Sequence, residues 1–489
     1  MLKPLIFSSN NNRQYLYDFI DNRIIYLTSF TKLLWDRYQK AVDKCSSSTL
    51  IKPDRAIRNT RDYEDYIEFK KIINKYEIFE KEIDKLPNHI EIKKCDIDDN
   101  QNFLSHLILK VTDFCNFECK YCIYSDSSNN YSLDNKKEMK WKIAKASIDF
   151  FFRVINSSKR TSRYGIKTIS FYGGEPLLNF KLIRQCIEYI KNLKQNDRIE
   201  INITTNASLL NESILSFLIK NDVKLLISID GPMEEHDKCR IDKEGRGTFT
   251  KVFDNIKKIK DINEHYFNKN VSFNAVFCEY HDLGKIVYFF DSEIFSSNKI
   301  LVSRASRLNR NFKNKMKNYS KPDKLNDQLK NLKMIYKKSV EKNIHCPAYI
   351  NDIFSREFAE LSGRRINSYV KRLKGYGKGL FQGCFPARNK LFVASDGDFH
   401  VCASMNNSFP IGDYKRGLNT NSISSLLNRY YEQIVSHCLR CEAVNICKAC
   451  FATFCVKNQF DRNEYCDQEK RYLISILRDY VSMFEKRDN

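Results

Sequence analysis

Three cysteines stand within eight residues, Cys115, Cys119 and Cys122 in VTDFCNFECKYC, separated by three residues and then by two. Thiols this close invite a metal. A structural zinc ion closes four ligands, usually as two CxxC pairs, so a triplet suits it poorly. Iron–sulfur clusters are held by cysteine thiolates, and three of them on a cubane leave one iron open to a ligand from outside the protein.

A second cysteine field spans residues 384–466, with Cys384, Cys402, Cys438, Cys441, Cys447, Cys450, Cys455 and Cys466. Twelve residues separate Cys384 from Gly397 and four more separate that glycine from Cys402; then comes CLRCEAVNICKAC, two CxxC pairs five residues apart. Paired CxxC units also suit zinc. The remaining cysteines, Cys45, Cys95, Cys186, Cys239, Cys278 and Cys346, have no partner spacing and read as small core residues, with Cys346 in HCPAY the one to watch.

These residues need a scaffold. The runs HLILKVT, KTISFYGG, IEINITTN, KLLISIDG, VSFNAVF and KILVSRAS are apolar and β-branched, and amphipathic stretches such as KWKIAKASIDFFFRVI and FKLIRQCIEYIKNL separate them. Near-continuous apolar strands alternating with helices predict βα units, a parallel sheet and an open or partial six-stranded barrel. Ligands of such a sheet bind at the carboxyl ends of its strands. The cysteine triplet follows the first strand there. The second strand ends in FYGGEP, where Gly173 and Gly174 admit close backbone approach, Glu175 offers a carboxylate to a cationic group and Pro176 stiffens the exit. Thr205 and Asn206 end the third strand, and Ser228 and Asp230 the fourth.

Ahead of this core, PLIFSS and QYLYDFIDNRIIYLTS read as short strands with a turn at Asp21–Asn22. A helix over FTKLLWDRYQKAV follows, with Leu33, Leu34 and Tyr38 on one face, and then a charge-laced helical stretch. The expected organisation is an N-terminal binding or packing unit over 1–98, a core over 99–310, a basic helical bridge over 311–383 with a glycine-rich joint, and a cysteine-rich unit over 384–489 with few βα features.

The chain has 489 residues, 42% of them hydrophobic, which is enough for several cores. Lys and Arg number 82 against 60 Asp and Glu, giving +22, but the basic residues are dispersed and point to no nucleic-acid partner. The N-terminal run has no signal-peptide core, and no apolar run approaches the roughly 20 residues that span a bilayer. The expectation is a cytoplasmic protein without a membrane partner, its 17 cysteines reduced and free for metal.

The ordered set CNFECKYC, GGEP, TTN, SIDGP and HDKCR resembles radical S-adenosylmethionine (SAM) enzymes over roughly residues 100–310. The resemblance implies a partial (β/α)6 radical SAM barrel, with a 4Fe–4S cluster on Cys115, Cys119 and Cys122 whose open iron chelates SAM. It puts Tyr121 near the adenine, sets the turn from Gly173 to Pro176 against the methionine amino group, and gives Ser228, Asp230 and Arg240 the ribose or carboxylate. Many relatives have glycine where this chain has Ala207, a departure expected to alter a local turn. The implied chemistry is reductive cleavage of SAM to a 5′-deoxyadenosyl radical that takes hydrogen from carbon, with electrons from a low-potential donor such as flavodoxin or ferredoxin.

The second cysteine field resembles the SPASM extension of the same enzymes, which carries two auxiliary 4Fe–4S clusters. One would use Cys438, Cys441, Cys447 and Cys466, the other Cys384, Cys402 and Cys450. The fourth ligand of the latter stays open between Cys455 and substrate, because two residues separate Cys447 from Cys450 where the family has three. The N-terminal hairpin and helix look like the small recognition element of ribosomal-peptide maturases, which bind a leader peptide as an added strand. The implied activity is that of a maturase forming a thioether in a precursor peptide. The alternatives are oxidation of a sulfatase residue to formylglycine, or a zinc-stabilised binding protein without catalysis.

Overall fold

The computed structural model describes residues 2–42, 61–86, 93–125, 136–157, 166–193, 198–305, 312–317, 325–363, 384–405, 408–447, 449–456, 458–462 and 465–485. Cys45 and the glycine-rich joint at 374–383 lie outside them.

Strands β1 (Leu5–Ser8), β2 (Gln14–Asp18) and β3 (Arg23–Tyr26) form an antiparallel sheet in that order. The turn between β2 and β3 puts Asn22 at φ 56°, a left-handed conformation that asparagine tolerates. The helix Ser29–Val42 buries Leu34, Trp35 and Tyr38, while Leu33 is 45% exposed. The expected face is thus displaced by about a sixth of a turn, with Trp35 in place of Leu33. Trp35 fixes it by packing edge-on against Phe69 of the helix Arg61–Asp84, with ring centroids 4.9 Å apart.

Six strands then run parallel: β4 (His106–Thr112), β5 (Lys167–Gly173), β6 (Ile199–Thr205), β7 (Lys224–Ser228), β8 (Val271–Phe277) and β9 (Lys299–Arg304), hydrogen-bonded in sequence order. The strands alternate more than their sequence suggests. Ile169, Phe171, Ile203, Ile227 and Phe273 are fully buried, and the helices between the strands supply matching apolar stripes. The helix Trp141–Ser157, for instance, buries Ile143, Ile148, Phe151 and Ile155. The opposite face carries Ser170 in register with Asn202, and Leu226 with Ser272, all half-buried. A parallel sheet with one apolar and one partly polar face leaves the polar one lining the barrel interior.

Both ends of this sheet are covered by later parts of the chain. Beyond β9, the helix Ala348–Ser362 lies against the edge, where Asp352 accepts from the amide of Val302 at 2.7 Å. A carboxylate thereby occupies an edge amide that would otherwise invite another strand. At the other edge, β10 (Lys390–Val393) pairs parallel to β4, Leu391 beside Leu107, and β11 (Asp398–His400), β12 (Gly412–Asp413) and β13 (Gly417–Leu418) extend it antiparallel. The segment after residue 384 therefore opens by joining the central sheet, contrary to its expected lack of βα character. Its short LFV run is too brief to register as a strand by pattern. A two-stranded ribbon, β14 (Cys455–Val456) with β15 (Gln459–Phe460), and the helix Tyr465–Phe484 complete it. That helix returns to the N-terminal sheet, where Asn10 N donates to Ser482 Oγ at 2.9 Å and Tyr15 OH to Glu485 at 2.9 Å.

Candidate active site

The loop carrying Cys115, Cys119 and Cys122 leaves the carboxyl end of β4 and is pinned on three sides. Glu118 N donates to Ile241 O at 2.8 Å and Lys120 N to Cys239 O at 2.9 Å, so the loop pairs with the segment after the helix Met233–Cys239. Glu175 N donates to Phe114 O at 2.8 Å, and Gly174 N to Thr112 O at 3.0 Å. Ahead of it Asp113, ion-paired with buried Lys110, accepts from Ser395 Oγ beyond β10.

The two glycines of the GGEP turn make this approach possible. A Cβ on Gly173 would sit 2.4 Å from Thr112 O, and one on Gly174 2.2 Å from Phe114 O. The room they leave on that side is filled by the backbone of the cysteine loop. Glu175 is 1% exposed, and its carboxylate accepts from Thr205 Oγ1 at 2.7 Å, Asn206 N at 2.7 Å and Leu177 N at 3.1 Å. It locks the ends of β5 and β6 together, with Pro176 starting the short turn that it caps.

Asn206 in turn donates to Asn116 Oδ1 at 3.0 Å, and Asn116 donates to Ser208 Oγ at 2.8 Å. Asn116 and Ser208 were not singled out in the sequence; the CNF and TTNAS contexts were the only signal. Ala207 adopts φ 60° and is fully buried, which explains why glycine suits that position.

Asp230, Arg240 and Tyr121 satisfy one another. Asp230 Oδ2 accepts from Tyr121 OH at 2.5 Å and Arg240 Nε at 3.0 Å, while Oδ1 accepts from Val276 N at 2.9 Å. The Arg240 guanidinium lies 5.6 Å from the Tyr121 ring centre, and its Nη1 lies 3.9 Å from Cys119 Sγ. Both carboxylate oxygens of Asp230 are engaged with protein donors. Ser228 ends β7, buried and in register with Asn274. Behind the network, His236 accepts from Asp230 N at 3.3 Å and meets Thr248 Oγ1 at 3.1 Å; burial holds its pKa down to about 3.

Burial pushes the Cys115 thiol up to about 11 and the Cys119 thiol to about 12. At neutral pH both stay protonated unless a cation takes their place, which is the behaviour of ligands rather than nucleophiles. Cys122 acts on both of them and Cys115 acts on Cys119, so the three thiols are neighbours on one loop, as three ligands of a cubane with one open iron would be.

In the cysteine-rich segment, Cys438, Cys441, Cys447 and Cys466 line one cavity, closed by Tyr430, Val444 and Leu473. Burial raises Cys438 to about 12 and Cys447 to about 11, and each thiol feels neighbouring cysteines in the set. Cys402 is raised by burial and by the thiol of Cys450. Cys455 is raised by burial and acted on by Ser408 and the backbone of Asn458. Cys384 is exposed.

Residues 109–276 match the family model described as Radical SAM superfamily. Over 183 residues the chain is 36% identical to an uncharacterized protein of Methanocaldococcus jannaschii, covering 36% of this chain and 58% of that protein. Over 199 residues it is 31% identical to the cysteine-type anaerobic sulfatase-maturating enzyme of Clostridium novyi, covering 39% of this chain and 49% of the enzyme. The chain thus spans about half the length of the curated relatives it matches. The solved structure of anSMEcpe with bound AdoMet and Cp18Cys peptide superposes with a TM-score of 0.54 at 17% identity, over 78% of this chain and 98% of that one, a likeness of fold.

Proposed function

We propose that this chain, whose residues 109–276 match the radical SAM model, is a radical SAM enzyme and a peptide maturase, acting on a ribosomally made precursor and forming a thioether from a cysteine of that peptide. A 4Fe–4S cluster on Cys115, Cys119 and Cys122 would supply, with SAM bound, the reductive cleavage that yields a hydrogen-abstracting radical.

The protein's part is to hold, orient and exclude water. The amides and carbonyls that pin the cysteine loop to residues 174–175 and 239–241 fix the three thiols relative to the strand ends. Arg240, anchored by Asp230, holds a positive charge beside Cys119, where it favours the thiolate. Tyr121, fully packed against Arg240 and edge-on to Phe312, keeps water from that side. Half-buried Ser170, Asn202, Ser272 and Asn274 give the barrel interior polar groups that could orient a peptide backbone.

Auxiliary clusters belong to the same proposal, one on Cys438, Cys441, Cys447 and Cys466, the other on Cys384, Cys402 and Cys450. The cavity lined by the first four supports the first assignment. The influence of Cys450 on Cys402 supports Cys450 over Cys455 in the second. Such clusters would accept the electron left after hydrogen abstraction, or hold the substrate thiolate.

One observation carries the choice of a leader-bound peptide over a sulfatase. The sheet β1–β2–β3 presents β3 as an edge with no partner strand among the described residues, which is the surface a leader peptide would extend. Related proteins bear on the substrate class: one relative is a sulfatase-maturating enzyme, and one structural neighbour binds a peptide. Co-expression with short cysteine-containing peptides and intact-mass measurement tests the reading. Loss of two hydrogens per crosslink, abolished by proline substitutions on the outer edge of β3, is the expected result. Oxidation of a sulfatase peptide, with precursor peptides untouched, would overturn it.

A further inference from the structure

Cys239 ends the helix Met233–Cys239, Cys278 follows β8 directly and His281 lies three residues further on, a spacing that marked none of them in the sequence. The fold brings them together. Their ligand atoms all lie within 4.8 Å of one another, and the residues are 0, 2 and 0% exposed. Met316, fully buried, puts its Sδ 3.9 Å from Cys239 Sγ.

Packing accounts for the thiols but not for the imidazole. Neither Nδ1 nor Nε2 of His281 meets a nitrogen or oxygen partner among the described residues, and the Cys278 thiol is the side chain that bonds to the ring. A buried imidazole carries a donor and an acceptor, and one thiol meets at most one of them. The surrounding backbone is rigidly held in spite of this. His281 N donates to Cys278 O at 3.2 Å, Gln328 Nε2 to His281 O at 3.0 Å, Lys238 Nζ to Tyr280 O at 3.1 Å and Asp282 N to Glu235 at 3.0 Å.

We propose that Cys239, Cys278 and His281 bind one zinc(II) ion that braces the wall behind Arg240. Two thiolates and an imidazole form a zinc donor set that leaves one of the four positions to a ligand from outside the protein, whereas magnesium and calcium take oxygen ligands. The ion would take one imidazole nitrogen and join the residue preceding Arg240 to the turn after β8. Binding would release the thiol protons.

Zinc K-edge absorption on iron-replete holoenzyme supplied with zinc(II) reads this ion alone, unobscured by iron. The expected result is one zinc per chain with about two sulfurs near 2.3 Å and one nitrogen near 2.0 Å. Cys278→Ser and His281→Phe should each lose it at unchanged iron content, and Cys186→Ser, at a buried cysteine outside the group, should keep it. His281→Phe guards against misfolding as the cause, because it removes an unmet polar group. If zinc is absent from the wild type while His281→Phe raises its melting temperature, the cluster is only a strained core. Zinc bound by four sulfurs and indifferent to these substitutions, or a Cys239–Cys278 disulfide in place of uptake, would likewise overturn the proposal.

Discussion

Arg240 reaches Cys119, Nη1 to Sγ at 3.9 Å, from a guanidinium that is already hydrogen-bonded to Asp230 through Nε. The pair is buried on both sides, 7% and 0% exposed at the side chains. Breaking one member of such a pair strands a charge, which costs about 3–5 kcal/mol. Arg240→Met is therefore expected to lower the melting temperature sharply, and Arg240→Met with Asp230→Asn to recover much of the loss. Thermal unfolding of the two variants checks this; equal losses would mean that the charge pairing is not what the arginine provides.

Gly174→Ala should damage the cysteine loop directly. Its Cβ would stand 2.2 Å from Phe114 O and 2.9 Å from Cys115 N, both backbone atoms that cannot swing aside. Overpacking of this kind costs about 1–3 kcal/mol. Iron analysis of the reconstituted variant is expected to show one cluster fewer than the wild type, with the C-terminal cysteines still loaded.

Cys450→Ser and Cys455→Ser separate the two assignments left open by the short CKAC spacing. Loss of one cluster's iron in the first and none in the second follows from Cys450 raising the Cys402 thiol and from Cys455 interacting with Ser408 and Asn458. The reverse pattern would exchange their roles.

His106, at the start of β4 and 2.7 Å from Ser170 Oγ, has its pKa lowered to about 4 by burial and then by Lys390. Its folded pKa is below its unfolded value of 6.5, so the unfolded chain binds the extra proton between these values. The stability from this group is complete above pH 6.5 and declines as pH falls toward 4. His106→Asn, which can keep a hydrogen bond to Ser170, should lose less melting temperature than the wild type between pH 7.5 and 5.5.

Much of this was legible in the residues. The six parallel strands and the helices between them stand where their apolar runs placed them, because burial against helices demands those patterns. A family model matches residues 109–276 at the motifs that announce it. Other features depended on tertiary contact. Leu33 and Trp35 compete for one helical face, and only the partner Phe69 decides between them. Strand β10 is four residues long and gains meaning beside β4. Glu175 and Asp230 stand at strand ends, and the protein donors that their carboxylates meet, Arg240 among them, are ones that no spacing reveals. Cys239 and Cys278 looked solitary at 39 residues apart and meet across the rim. No helix among the described residues is long and apolar enough to cross a membrane.

The central claim, that Cys115, Cys119 and Cys122 hold the cluster that cleaves SAM, is tested most directly by 5′-deoxyadenosine formation. The chain is purified without oxygen, reduced and given SAM, with and without a candidate precursor peptide, alongside Cys119→Ala. Product from the wild type and none from the variant is the predicted result. No product from iron-replete wild type in the presence of a peptide shown to bind it, or equal product from Cys119→Ala, would contradict it.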